Sequence, residues 1–483
     1  MKQLSTLCNA LTSVVRIEGP TELTVNDIQF DSRAIKPGDL FVATSGTRQD
    51  GHAYIAQAVA QGATAVVCQQ MPDPLPAATC IQVKDSTVAL GELCDAWFDH
   101  PSAHLKVVGV TGTNGKTTTA TLLYRIVRAA GGRAGLLSTV VNYIDGEEVP
   151  ATHTTPDAKE LNHLMARMVE RGCTHCFMEV SSHSIVQHRI AAIRFSGGIF
   201  TNLTQDHLDF HKTFDAYLQA KKTFFDHLPR EAFALVNKDD RNGLVMVQNT
   251  AATVKTYALR SMADYTCRIL SEQIEGMFLN LCGQEVFVRF IGRFNAYNLL
   301  AVYGAAVQLG IDPQQLAVIM SQLRPVAGRF EYFTSKKGFT AVVDYAHTPD
   351  AIENVLDTIR ELAGQSGRRI ITVVGAGGDR DRGKRPLMAR AAVRRSSLVI
   401  FTSDNPRSEK PEDIIADMLA GLSEEERAAA LVIPDRREAI RTACLTARAG
   451  DVVLVAGKGH EDYQIVNGVK HHFDDREEVA KYI

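Results

Sequence analysis

The residues best suited to chemistry stand at Gly112-Thr113-Asn114-Gly115-Lys116-Thr117-Thr118. A glycine-punctuated loop ending in Lys-Thr suits a polyphosphate. Glycine lets backbone N–H groups approach the anion, Lys116 reaches its terminal phosphates, and the Thr117 hydroxyl meets Mg²⁺. The usual first glycine of such a loop falls on Val110 here, with Gly112 two residues later. The competing reading is an ordinary strand-to-helix turn with a surface lysine. Two further stretches offer donors. Cys176-Phe177-Met178-Glu179-Val180 is apolar except for Glu179, and Ser181-Ser182-His183 follows at once. Gly198-Ile199-Phe200-Thr201-Asn202-Leu203 likewise leads into Thr204-Gln205-Asp206-His207. The residues alone leave Glu179 and His207 open between a structural role and ligation of a divalent metal. Lys221 and Lys222, on a helix expected over 216–225, read as a solvated pair.

These side chains need elements to place them. The apolar run from Leu105 to Val110 reads as a buried strand, and Thr117 to Arg128 shows helical spacing through Leu122, Leu123, Ile126 and Val127. Strand, glycine loop and helix in that order make a phosphate cradle, so nucleotide binding is the preferred reading. Two more strands bring Glu179 and His207 to the same edge. Residues 265–290 alternate as a small antiparallel patch, and Asn295 to Val307 reads as a helix. Beyond residue 328, apolar strands at 341–343, 370–374, 398–401, 430–433 and 452–455 alternate with helices, the pattern of a parallel doubly wound sheet. Four of these strands end in polar clusters: Asp344-Tyr345-Ala346-His347, Gly375 to Arg380, Ser403-Asp404-Asn405-Pro406-Arg407, and Gly457-Lys458-Gly459-His460-Glu461-Asp462. Carboxyl-end loops of a parallel sheet share one edge, where ligands bind.

With 483 residues the chain exceeds one core. An α/β protein of three domains is expected, over 1–101, 102–327 and 328–483. A formal charge of −3 gives no basic excess to argue for nucleic acid. No apolar run approaches the roughly 18 residues of a membrane span. Leu4, Leu7, Leu11 and Val15 are spaced as one face of an N-terminal helix. Nine scattered cysteines argue against a disulfide framework and fit a reducing cytoplasm, and Cys173-Thr174-His175-Cys176 reads as buried free thiols rather than zinc ligands.

Together these motifs resemble those of the Mur ligases of peptidoglycan synthesis, over essentially the full chain. Thr111 to Thr118 looks like their ATP loop, which accounts for the displaced glycine. Glu179 to His183, Thr201-Asn202-Leu203 with Asp206 to Asp209, Ala220-Lys221, Gly292 to Asn298, Gly328-Arg329-Phe330-Glu331 and Asp344 to His347 extend the match. The resemblance implies a small N-terminal α/β domain binding a UDP-sugar, a central P-loop parallel-sheet domain binding ATP, and a C-terminal Rossmann-like domain binding an amino acid.

It further implies an ATP-dependent amide ligase that adds meso-2,6-diaminopimelate to UDP-N-acetylmuramoyl-L-alanyl-D-glutamate through an acyl phosphate, releasing ADP and phosphate. The loop Gly112 to Thr118, with Asn295, Asn298, Arg329 and Asp344, would bind ATP. One Mg²⁺ would sit on Thr117 and a second on Glu179 and His207, supported by a carbamate on Lys221. Lys116, Glu179, His207 and Lys221 would be catalytic, and Lys222, without a counterpart, is left at the surface. The acceptor would meet Phe30, Ser32, Thr47, Arg48 and Gln49 near its uridine, then His153, Thr154, Thr155, Ser181, Gln187 and Arg189. The family commonly has asparagine at the position of His153. Asp404-Asn405-Pro406-Arg407 resembles the signature of members that add diaminopimelate; with Arg380, Gly457 and Glu461 it would read that amino acid. The alternative for Arg407 is a loop cap against Asp404. A monomer without nucleic-acid or membrane partners is expected. Two other functions compete: folylpolyglutamate synthetase, which shares the ATP loop and carbamylated lysine but lacks this N-terminal unit, and a nucleotide-switched binding module.

Overall fold

The computed structural model describes residues 1–46, 49–151, 153–273, 275–363 and 368–483. Among the described residues, beside two two-stranded ribbons, Lys2–Gln3 with Thr24–Val25 and Tyr463–Val466 with Val469–His472, three large sheets succeed one another along the chain. The first runs, in space, Val14–Glu18, Thr79–Val83, Ala65–Cys68, Leu40–Val42, Ile28–Gln29, with only Val14–Glu18 antiparallel. The N-terminal helix is shorter than its spacing predicts. Leu4–Asn9 is helical with Leu4 and Leu7 buried, but Val15 lies exposed on the strand. β-branched Val14, Val15 and Ile17 favour the pleated form once the Thr79–Val83 edge offers backbone partners.

The central sheet has eleven strands. Lys106–Thr111 lies between the parallel strands His175–Glu179 and Phe195–Phe200. Glu179 pairs with Val110 and Phe200 with Thr111, so three segments leave the sheet at one level. Val107 to Thr111 are all buried, as a strand covered on both faces requires. Val108 and Val110 pack with Leu122, Leu123 and Leu299 from the helices Lys116–Ala129 and Arg293–Gln308. Val107 packs opposite, with Leu161 and Phe224 from Ala158–Glu170 and Phe214–Asp226. The antiparallel strands Tyr265–Gln273, Gly276–Leu281 and Gln284–Val288 continue the same sheet, because Tyr257 pairs with Tyr265.

The third sheet runs Glu331–Thr334, Thr340–Asp344, Val452–Ala456, Ile370–Val374, Leu398–Phe401, Ala430–Val432, parallel except for the first. The chain returns to insert Val452–Ala456 between two earlier strands. Ala456 pairs with Asp344 on one side and Val374 on the other, so the loops after residues 344, 374 and 456 meet at one edge. The architecture is therefore a small α/β unit, a P-loop sheet unit and a Rossmann-like unit. No described helix is long and apolar enough to cross a membrane. The nine cysteines are free, Cys173 and Cys176 among the buried ones.

Candidate active site

The phosphate loop is shaped by contacts that only glycine allows. Gly112 and Gly115 have φ of 147° and 86°, and a Cβ on either would stand 1.9 Å from Thr201 Oγ1 or 2.3 Å from Asn298 Oδ1. Asn202 holds the loop from the neighbouring strand end. Its Oδ1 accepts from Asn114 N at 2.9 Å, and its Nδ2 donates to Asn114 O at 3.1 Å. Lys116 opens the following helix, with Thr117 and Thr118 in its first turn, where backbone N–H groups lack helical partners. Lys116 Nζ donates to Gly112 O at 2.9 Å and Thr113 O at 2.8 Å. Burial lowers its pKa, against the pull of Glu179 and Asp206.

Glu179 is buried beside this turn. Its Oε1 accepts from Thr117 Oγ1 at 2.9 Å and from Thr139 N at 2.8 Å, and Arg329 Nη2 donates to Thr117 Oγ1 at 3.1 Å. Lys221 is 1 % exposed; its Nζ donates to Gly112 O at 2.9 Å and lies 4.6 Å from the Tyr217 ring. Burial first, then the charge of Lys116, hold its pKa well below the usual lysine value. The expectation of a solvated lysine pair is thus overturned for both residues. Lys222 is also buried and pairs with Asp226 at 2.6 Å. The short helices Ser182–Val186, Leu208–His211 and Gly243–Met246 cover the helix bearing them, which local spacing could not reveal.

His207 Nε2 lies 3.4 Å from Asp206 Oδ2, and its ring centroid is 4.9 Å from that of His183. Burial, then His183, Lys116 and Lys221, lower its pKa although Asp206 pulls upward, so the ring is neutral near pH 7. Among the described residues no three His, Cys, Asp or Glu side chains form a cage for a metal. Thr117 Oγ1 and Glu179 Oε1, 2.9 Å apart, are the oxygen donors Mg²⁺ prefers, and that ion takes few protein ligands and completes its shell with water and phosphate oxygens. His207 offers a neutral imidazole, but no described contact joins it to Glu179.

The four expected adenine and ribose residues reach the loop. Asn295, Asn298, Arg329 and Asp344 line a cleft of about 340 Å³ with Asn114, Gly115 and Thr118. Asp344 accepts from Phe330 N at 2.6 Å and Ala346 N at 2.7 Å, yet burial pushes its pKa up to about 6. Asn114 to Asp350 at 3.2 Å and Lys384 to Asp206 at 3.5 Å tie the central unit to the C-terminal one. Nothing in the sequence pattern marked Lys384, because the closeness arises between units.

The acceptor candidates near Glu179 also converge. Thr155 Oγ1 donates to Glu179 O at 2.9 Å and to Ser181 Oγ at 3.3 Å, and Arg189 Nη1 donates to Thr155 O at 2.8 Å. Thr154 Oγ1 accepts from Thr139 Oγ1 at 3.1 Å. His153 is exposed and Gln187 half-buried. In the N-terminal unit Phe30 packs against a core that includes Ala158 of the central unit, Ser32 is buried, and Gln49 is exposed. Thr47 and Arg48 lie outside the described residues.

At the C-terminal edge Arg407 has a φ of 55°, and its Nη1 donates to Gly378 O at 2.7 Å. No described hydrogen bond joins it to Asp404. A Cβ on Gly377 would stand 2.9 Å from Arg407 Nη1 and 3.6 Å from Arg380 Cγ, so the two arginines flank that glycine. Pro406 O accepts from Glu409 N at 3.0 Å, closing the turn. Asp404 faces Gly457, whose φ of 119° suits glycine; a Cβ there would come within 2.5 Å of Asp404 Oδ2. Asn405 Nδ2 donates to Glu461 Oε2 at 2.7 Å. The sequence did not single out Lys458, which is buried among these groups, nor Arg385, whose guanidinium clasps Glu409 beneath the arginine loops.

Three family descriptions match in order: "Mur ligase family, catalytic domain" over residues 24–97, "Mur ligase middle domain" over 110–306, and "Mur ligase, glutamate ligase domain" over 328–459. A UDP-N-acetylmuramoyl-L-alanyl-D-glutamate--2,6-diaminopimelate ligase of Parabacteroides distasonis is 58% identical over 480 residues, covering 99% of this chain and 98% of that protein. A solved structure of a ligase of that name is 33% identical with a TM-score of 0.68, covering 97% of this chain and 96% of the other. A MurF ligase from Thermotoga maritima, solved in complex with ADP, shares the fold at 18% identity and a TM-score of 0.62, covering 94% and 96%. On this likeness, end to end, the chain belongs to the Mur ligase family.

Proposed function

We propose that the chain joins meso-2,6-diaminopimelate to UDP-N-acetylmuramoyl-L-alanyl-D-glutamate, converting ATP to ADP and phosphate. The observation that carries this reading is the full-length likeness to a ligase of that name. The five-stranded N-terminal sheet speaks against the folylpolyglutamate alternative. The same reading divides the chain near residues 101 and 327, and takes it as a cytoplasmic monomer.

The D-glutamate carboxylate attacks the γ-phosphorus of ATP, giving an acyl phosphate and ADP. The unprotonated amine of the amino acid then attacks the acyl carbon; the C–O bond to phosphate breaks, phosphate leaves, and the surplus N–H proton passes to it or to solvent as the amide forms. Two anions meet in the first step, so positive charge and positioning supply the catalysis. The loop N–H groups and Lys116 hold the β- and γ-phosphates. Asn295, Asn298, Arg329 and Asp344 hold adenine and ribose. Thr117 would hold one Mg²⁺, and Glu179 and His207 a second, which when bound would neutralise the charge of carboxylate and γ-phosphate. The desolvated amine of Lys221 is the form that captures CO₂, and its carbamate would support that metal. Phe30, Ser32, Thr47, Arg48 and Gln49 would take the uridine end of the acceptor, and His153, Thr154, Thr155, Ser181, Gln187 and Arg189 its peptide end. Arg380 and Arg407 would read the distal carboxylate of the amino acid, with Asp404, Asn405, Pro406, Gly457 and Glu461 around its distal ammonium.

ADP release, followed with each substrate omitted in turn, tests the reaction. A ligase releases ADP only with acceptor and amino acid both present; release at the same rate without the amino acid points to a nucleotide switch. Equal concentrations of meso-diaminopimelate and L-lysine should yield the diaminopimelate product, and preferential incorporation of lysine overturns the substrate assignment.

A further inference from the structure

Lys458 is 0 % exposed, although an ammonium is among the costliest groups to bury. Its Nζ donates to Glu461 Oε2 at 3.2 Å, to Asn405 Oδ1 at 3.4 Å and to Tyr463 O. Asn405 Nδ2 donates to the same Glu461 oxygen at 2.7 Å, and Tyr345 Oη donates to the other at 3.3 Å. Glu461 is therefore held from three sides before any ligand arrives. Asp404, buried beside Gly457, is the second carboxylate acting on this corner. Burial and Asp404 raise the Glu461 pKa; with both carboxylates ionised, and the neighbouring Arg436–Asp475 pair balanced in itself, the corner's two carboxylates and one ammonium carry a net single negative charge.

We propose that Lys458 is a specificity-determining positioning residue, which locks Glu461 and Asn405 and trims the corner to the one negative charge that a single ammonium needs. The proposal rests on the amino-acid reading above. A substrate whose far end carries one ammonium and one carboxylate meets one net negative charge here and the arginines at Gly377. Without Lys458, two carboxylates would face one ammonium, and Glu461 would lose a donor. Without Glu461, Lys458 would cancel Asp404 and leave no net negative charge for the incoming ammonium. Each single loss unbalances the corner; the joint loss leaves Asp404 alone and restores the net charge. That non-additivity separates charge matching from mere structural support.

The test measures KM for meso-diaminopimelate, KM for ATP and kcat in the full-length enzyme. Wild-type turnover dependent on meso-diaminopimelate establishes the underlying reading, and its absence refutes that reading rather than this proposal. Glu461→Gln should raise KM for the amino acid at least ~30-fold, as truncating one partner of a buried charge pair does. KM for ATP should stay within about threefold, because neither Glu461 nor Lys458 lines the cleft at Asn114 and Asp344, although Tyr345 borders both. Adding Lys458→Met to Glu461→Gln should lower the amino-acid KM again, by roughly fivefold or more. Lys458→Met alone should show the same KM-selective loss, and Lys458→Arg should recover part of it. If the double variant is no better than Glu461→Gln, or if Lys458→Met binds the amino acid normally, Lys458 does not set the charge of this corner.

Discussion

The edge of the central sheet and the edge of the C-terminal sheet handle charge in opposite ways. At the phosphate loop, half-buried Lys116 and buried Lys221 set their amino groups on backbone carbonyls of the loop itself. At the C-terminal edge each buried cation already has a carboxylate: Lys458 with Glu461 at 3.2 Å, Arg385 with Glu409 at 2.7 Å, Arg436 with Asp475 at 2.7 Å. A site whose free cation, Lys116, is held only by carbonyls gains most from a polyanion, whose phosphates supply the missing countercharge. A site whose charges are already matched gains most from a zwitterion that fits the remainder. The difference teaches that one fold can separate attraction from discrimination by what it leaves unpaired.

The largest break in this contrast comes from Lys221. Lys221→Ala should cut turnover by ~10³-fold or more, since it removes the group proposed to support the metal. Formate should restore part of the activity if a carbamate is what was lost. Unchanged turnover in Lys221→Ala would falsify the proposed role. Next comes the discriminating edge. Arg407→Ala should erode the preference for meso-diaminopimelate over lysine, which in sites built to pair a polar group reaches roughly 10⁴-fold. Selectivity that survives the substitution would place the reading of the carboxylate elsewhere.

A pH titration sharpens the comparison in between. Burial raises the Asp344 pKa to about 6. The folded protein then keeps a proton that the unfolded chain releases near 4, so this group's contribution to stability falls as pH rises from about 4 through 6. The ionised carboxylate is the better acceptor for ribose hydroxyls, so ADP affinity should increase roughly tenfold between pH 5 and 7 and level off above. Asp344→Asn should flatten the profile, which calorimetry at several pH values can read. The smallest effect is expected at Lys222. Its side chain is 7% exposed and that of Asp226 28%, so Lys222→Ala should cost about 1–2 kcal/mol in denaturant unfolding while kcat stays near wild type. A large loss of kcat there would mean that the helix, not Lys221 alone, sets the site.

Much of this was legible in the residues themselves. Strand, glycine loop and helix around Lys116, the strand ending at Glu179, and the alternating strands after residue 328 followed from spacing, because the periodicity of a buried element is a local property; the strand read as far as Leu203 ends at Phe200. Membership of the family followed from motifs at fixed positions. The helix expected across Leu4 to Val15 did not, since a neighbouring strand edge far along the chain offered Val14 to Glu18 a better conformation.

Charge and burial of single side chains were decided only by the tertiary structure. Lys221 and Lys222 look alike in the sequence, yet one meets the loop at Gly112 and the other pairs with Asp226. Lys458 stands in a strand-end cluster of the sequence, but its burial and its partners appear only when the loops after residues 401 and 456 close around it. Asp206 and Lys384 meet only because two units dock. Sequence spacing sets the direction in which a side chain leaves its own element. What it meets there, and therefore whether its charge is solvated, paired or left wanting a ligand, depends on elements as far as hundreds of residues away.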